Sequence, residues 1–254
     1  MRLPRRAKYL RRALTSVPTV AEIYRRTRKL PDLPWNQYVC RPVAAVVVRA
    51  VAATRVTPNQ ITIASLAVAA VSAVLLVALP GRWGIALSIL VYEGSYVLDC
   101  ADGMLARLRN QQSTAGHLFD FLMDEIKAFA ILAACAVRLW LDAGRDDTYL
   151  LVGIFGLVSL SSGIALTTFV RRPEIEPARP AVTALSTSSP SPSPFRRALG
   201  LVESVAKFLI HYPSYIWLTA LLGRLDWYVV PYVCVNALYA ARTLASVAVR
   251  FGRS

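Results

Sequence analysis

Four aspartates stand at fixed offsets in one stretch of this chain: Asp99, Asp102, Asp120 and Asp124. Gly103, Ala106, Arg107 and Gly116 lie between them. Asp99, Asp102, Gly103 and Ala106 follow the spacing of a single helix face, and Gly116, Asp120 and Asp124, each four apart, share a face of a second helix. The residues between, 108 to 115, include Arg109, Asn110, Gln111, Gln112, Ser113 and Thr114, polar enough to turn the chain. Folding back there brings the two acidic faces together. Carboxylates gathered in a medium of low dielectric repel one another and lose hydration, so they need compensation. A divalent cation, or a pair of them, is the natural remedy, and hard oxygen ligands point to Mg²⁺, Mn²⁺ or Ca²⁺. Two such ions can bind phosphate oxygens and stabilise an in-line displacement at phosphorus. Gly103 and Gly116 leave room for a nucleotide to approach backbone. Arg107 supplies a cation for a phosphate or a carboxylate. Lys127, three residues after Asp124, is placed to tune it or to meet an acceptor phosphate.

Taken singly, an aspartate near a helix end is ordinarily a solvated cap or an ion-pair partner. An ordered set of four between apolar helices is not. The elements that must position them read as membrane helices. Of 254 residues 56% are hydrophobic, and the mean hydropathy is +0.46, well above that of a soluble domain. Six spans are expected, at about 61–80, 83–107, 116–140, 148–170, 206–223 and 227–250, each near the ~20 residues a bilayer requires. The second and third are interrupted by the acidic stretch, as befits helix ends that line a wet cavity.

Upstream, residues 1–33 form a basic arm, expected on the cytoplasmic membrane surface or as a disordered tail. Residues 34–56 read as an amphipathic juxtamembrane helix in the membrane plane, with Arg41, Arg49 and Arg55 punctuating an apolar run. Residues 57–254 form the membrane domain, with a flexible Pro/Ser-rich loop at 173–195. The formal charge of +14 does not point to nucleic acid, because the basic residues sit in the arm and in loops between spans. The positive-inside rule puts both termini and the acidic stretch at the cytoplasm. Cys40, Cys100, Cys135 and Cys234 are scattered in or beside apolar segments and read as buried free thiols.

The pattern Asp99-x2-Asp102-Gly103-x2-Ala106-Arg107-x8-Gly116-x3-Asp120-x3-Asp124 resembles the signature of the CDP-alcohol phosphotransferases, with every position filled. That family moves a substituted phosphate from a CDP-linked donor to an alcohol, releasing CMP. The resemblance implies an all-α integral membrane enzyme of phospholipid biosynthesis. It further implies two divalent cations, Mg²⁺ or Mn²⁺, held by Asp99, Asp102 and Asp120, with Asp124 as general base and further ligand. Pro58-Asn59-Gln60-Ile61-Thr62 resembles an element of the same family that lies near the nucleotide, which makes Asn59 and Thr62 donor contacts beside Gly103, Ala106, Arg107 and Gly116. The partners implied are a CDP-linked donor, with CDP-diacylglycerol favoured, and an alcohol acceptor, at least one of them lipidic. A homodimer is left open. A CDP-linked polar alcohol feeding an inositol-type phosphodiester is the alternative within the family.

Rivals from other classes fit less well. A prenyltransferase of the aspartate-bearing kind lacks its Asp-Asp-x-x-Asp pattern here. A non-enzymatic ion carrier needs neither the glycines nor the arginine. Outside the signature, Glu93, Arg171, Arg172, His211, Tyr212, Ser214, Tyr215, Asn236, Tyr239 and Arg242 are polar groups in or beside spans that could meet substrate, or could bond between helices or anchor them at the cytoplasmic face.

Overall fold

The computed structural model describes residues 18–29, 32–172, 175, 205, 208–209 and 215–252. Among the described residues the regular elements are helices, without a strand. They are α1 (Val20–Thr27), a π-helical turn (Asn36–Cys40), α2 (Arg41–Val51), α3 (Pro58–Ala78), α4 (Gly81–Leu108), α5 (Thr114–Asp142), α6 (Asp147–Val170), α7 (Ile216–Leu221) and α8 (Asp226–Phe251).

Local chemistry accounts for where these helices start and stop. Thr57 and Gln60 cap α3 reciprocally: Thr57 Oγ1 accepts from the Gln60 amide at 3.3 Å, and Gln60 Oε1 accepts from the Thr57 amide at 2.9 Å. Pro58 then opens the helix where its missing N–H costs nothing. The Asp146 side chain caps α6 by accepting from the Thr148 amide at 2.9 Å. Asn110, at φ 54°, takes the left-handed conformation that lets α4 end and the chain reverse into α5.

By length and composition α3, α4, α6 and α8 can each cross a membrane. At ~1.5 Å per residue, the 21 residues of α3 span about 31 Å, close to a hydrocarbon core of ~30 Å. Their outward side chains, such as Val71, Val74, Leu151, Ile154, Phe155 and Val158, are apolar and exposed. The protein is a multi-pass membrane protein. α5 has 29 residues and matches the third expected span, but Asp120, Asp124, Glu125, Lys127, Arg138 and Asp142 spread charge along it, which sets it apart from those four. Of the fifth expected span, residues 208–209 and 215–223, which include α7, are described. Its remainder, with His211, Tyr212 and Ser214, lies outside the described residues, as do residues 1–17 and nearly all of the loop at 173–195.

The chain divides into two compact units, Met1–Val71 with Val91–Lys127, and Ser72–Leu90 with Ala128–Ser254. Within the first, the segment read as a basic arm contains a helix. Thr19 and Glu22 form a capping box at its start, and Ile23 is fully buried in a cluster with Cys40, Ala44, Ala45, Val48, Ile61, Cys100, Ala101, Met104 and Leu105. The net basic charge of residues 1–33 masked that one apolar anchor. Arg41, expected to punctuate an apolar face, is instead buried and pairs with Asp32. Burial alone would raise the Asp32 carboxyl, but hydrogen bonds from Arg41 and Asn36 outweigh it and hold the group below its ordinary value. Burial pushes the Cys40 thiol up to about 12, which leaves it unreactive. Cys100 and Cys135 are buried too, whereas Cys234, expected to be buried, is exposed on α8.

The second unit is held by close helix contacts through small residues. Gly153 of α6 meets Ala136 of α5, and Gly156 meets Leu132 and Val233. Thr167 Oγ1 and the Tyr239 hydroxyl lie 3.0 Å apart. Asn236 Nδ2 donates to the Tyr232 carbonyl at 2.8 Å. Asn236 and Tyr239 thus bond within and between helices, while Arg171, Arg172 and Arg242 are exposed.

Candidate active site

Three helix segments of the first unit build the site. The end of α4 carries Asp99, Asp102, Gly103, Ala106 and Arg107; the start of α5 carries Gly116, Asp120, Asp124 and Lys127; the start of α3 carries Asn59, Thr62 and Ser65. The reversal at Asn110 brings the two acidic faces together as the spacing predicts. Carboxylate oxygens of Asp99, Asp120 and Asp124 all lie within 4.8 Å of one another.

Asp102 stands apart from that trio. Its carboxylate is buried and accepts a hydrogen bond from Thr62 Oγ1, whose other contact is the Pro58 carbonyl at 3.2 Å. Thr62 therefore holds an acidic side chain in place, a role that its position in α3 did not reveal.

Lys127 is 1% exposed, and its ammonium reaches Asp99 Oδ1 at 2.5 Å, Asp124 Oδ1 at 2.7 Å and Ser65 Oγ at 3.1 Å. Ser65 in turn donates to the Ser95 carbonyl at 2.9 Å. The contact to Asp124 is an ion pair rather than a directed bond, because Asp124 Oδ1 has no partner in hydrogen-bonding geometry. Asp120 Oδ1 is likewise buried without a hydrogen bond. Two of the four carboxylates, those of Asp99 and Asp124, thus share one buried ammonium, while Asp120 Oδ1 is left without a hydrogen bond. A hard divalent cation such as Mg²⁺ or Mn²⁺ suits that donor set.

Beside the carboxylates lies a cavity of about 490 Å³. Its wall includes Asn59, Thr62, Asp102, Gly103, Ala106, Arg107, Gly116 and Asp120, so eight of the expected substrate and ligand positions line one space. Gly116 is closely approached: a Cβ there would stand 3.0 Å from Ser113 Oγ, which accepts from the Gly116 amide at 3.0 Å. Lys29, Gln111, Gln112, Ser113 and His117 complete the polar lining. None of those five was singled out for substrate, because basic and amide residues in an arm or a turn carry no periodic signal.

Two arginines of the signature region do structural work. Arg107 Nε donates to the Thr27 carbonyl at 2.8 Å and ties α1 to the end of α4. The Arg109 guanidinium donates to the carbonyls of Val51, Ala52, Thr54 and Val56 at 2.8, 3.2, 3.0 and 2.5 Å, satisfying the open end of α2. Glu93 does not join the site, for its Oε2 accepts from Trp35 Nε1 at 3.2 Å.

The profile of a family described as CDP-alcohol phosphatidyltransferase matches residues 55–232. The "Bifunctional IPC transferase and DIPP synthase" of Archaeoglobus fulgidus is 33% identical over 126 residues, covering 50% of this chain. This chain spans 23% of the length of that relative.

Proposed function

This chain belongs to the CDP-alcohol phosphatidyltransferase family, and from that premise we propose that it transfers a substituted phosphate from CDP-diacylglycerol to a polar alcohol, with release of CMP. The observation that carries the reading is the carboxylate trio of Asp99, Asp120 and Asp124 beside a cavity that shares Asp120 and holds Asp102, Gly103 and Gly116. Asp99, Asp102, Asp120 and Asp124 would hold two divalent cations, Mg²⁺ or Mn²⁺. When bound, these supply positive charge for the donor pyrophosphate and the departing CMP.

The chain's own residues do the rest. Asn59 and the bare backbone at Gly103 and Gly116 admit the nucleotide, and Ala106 keeps that wall low. Asp124 has a side chain 38% exposed, so an acceptor hydroxyl can reach it. It takes the hydroxyl proton as the acceptor oxygen bonds to the distal phosphorus. The bond from that phosphorus to the bridging oxygen breaks, and CMP leaves with the electron pair. Lys127 fixes where Asp99 and Asp124 stand. α5 completes the bundle as a further span, with a sixth at 206–223, and the site and both termini face the cytoplasm, where CDP-linked donors are found. α2, with the turn before it, lies along the membrane surface.

The relative named for IPC transfer and DIPP synthesis favours a second reading, in which a CDP-linked polar alcohol is the donor and an inositol-type phosphodiester the product. One assay separates the two. Purified protein with Mg²⁺ or Mn²⁺ is given CDP-diacylglycerol or a CDP-linked polar alcohol, each with a panel of acceptors, and CMP is measured. CMP from the lipid donor supports the first reading; CMP only from the polar donor selects the second. Asp124→Asn is expected to lower turnover by at least a hundredfold while CDP affinity stays within about threefold of the parent. Loss of CDP binding along with turnover would assign Asp124 to holding the cations rather than to the role of base.

A further inference from the structure

The cavity wall carries three groups able to bear positive charge, Arg107, His117 and Lys29. Arg107 is the one the signature offers to a phosphate, yet its Nε is engaged by the Thr27 carbonyl at 2.8 Å. A Cβ on Gly103 would meet the Arg107 guanidinium at 3.4 Å, so that group lies along α4. Thr27 itself is fully buried and donates from Oγ1 to the Ile23 carbonyl at 2.8 Å, and Ile23 is fully buried in the core. The C-terminal end of α1 is therefore anchored twice, once by apolar packing and once by the signature arginine.

Lys29 follows that anchor by two residues and lines the cavity. It is exposed and makes no ion pair with any described residue. Asp120, a member of the carboxylate trio, lines the same cavity. The amide groups of Asn59, Gln111 and Gln112 line the same space and suit a base or sugar. Lys29 thus brings an ammonium to the cavity that Asp102 and Asp120 also line.

We propose that Lys29 binds the distal phosphate of a nucleoside diphosphate donor, and that Arg107 serves this contact by tethering the N-terminal segment over the cavity. Residues 18–29 are then a wall of the site rather than only part of a membrane-surface arm. This rests on the CDP-linked reading of the cavity given above. An ammonium on a flexible stem meets a phosphate as a point charge, which suits a residue arriving from outside the helix bundle.

Titration calorimetry on the purified full chain in Mg²⁺ tests it, with CDP and CMP as probes. The parent is expected to bind CDP more tightly than CMP. Lys29→Met should weaken CDP roughly tenfold, the scale of one charge-assisted contact, leave CMP within about twofold, and keep the parent's melting temperature. Lys29→Arg should restore most of the CDP affinity. Lys29→Met binding CDP as the parent does overturns the inference and leaves the proposed function standing. Equal loss of CDP and CMP overturns the distal assignment. A parent chain that binds neither nucleotide sinks the proposed function and this inference with it.

Discussion

Replacing Lys127 by methionine keeps a long apolar stem and deletes the one ammonium buried among the carboxylates. Lys127 is 1% exposed, and its partners Asp99 and Asp124 have side chains 13% and 38% exposed. Removing one member of a buried ion pair leaves an uncompensated charge, at a cost of about 3–5 kcal/mol. Water reaches Asp124, so the lower end applies, about 3 kcal/mol. At ~2–4 °C per kcal/mol for a chain of this size, the melting temperature in EDTA should fall by roughly 6–12 °C. A divalent cation restores positive charge among the same oxygens and no longer competes with the ammonium. Mn²⁺ should therefore raise the melting temperature of Lys127→Met by more than it raises that of the parent, and calorimetry should show tighter Mn²⁺ binding. Melting curves of both proteins in one detergent, with EDTA and with Mn²⁺, provide the comparison. Coincident curves in EDTA would refute the view of Lys127 as the resident counter-ion. A loss that Mn²⁺ does not reduce would show that a cation cannot stand in for the ammonium among these carboxylates.

Two further expectations concern the framework. A Cβ on Gly153 would stand 2.3 Å from that of Ala136, and neither atom can move without its helix, so Gly153→Ala should destabilise. The overpacking cost of about 1–3 kcal/mol exceeds the helix-propensity gain of up to ~1 kcal/mol, and a lowered melting temperature reports it. Gly94→Ala is the control, since nothing lies within 4 Å of the added carbon. The Asp32 carboxyl is held below its ordinary value of 3.8, so the stability it contributes is present above pH 3.8 and fades as pH falls through the lowered folded value. The melting-temperature gap between parent and Asp32→Asn should be full at pH 6 and close at lower pH; a gap independent of pH refutes the ion pair with Arg41.

Much of this protein was legible because helices convert spacing into faces. Asp99 with Asp102, and Asp120 with Asp124, share faces by periodicity alone, and a polar turn of eight residues leaves little choice but to bring them together. The apolar runs likewise declare their helices, so the expected spans at 61–80, 83–107, 116–140, 148–170 and 227–250 fall within a few residues of α3, α4, α5, α6 and α8. The family signature reads directly from the same offsets.

Partner choice over long separations was not legible. Thr62 bonds Asp102 across 40 positions, Arg107 bonds Thr27 across 80, and Arg109 closes the end of α2 across more than 50. Nothing periodic announces such pairs, and a basic side chain near a membrane reads equally as an anchor. The sequence by itself determined which residues share a helix face and therefore the acidic centre. Only the tertiary structure decided that Lys127 points into that centre, that Arg41 turns inward to Asp32, and that Lys29 reaches the cavity. A helix face is a property of neighbours along the chain, whereas charge burial depends on which distant surfaces pack over it.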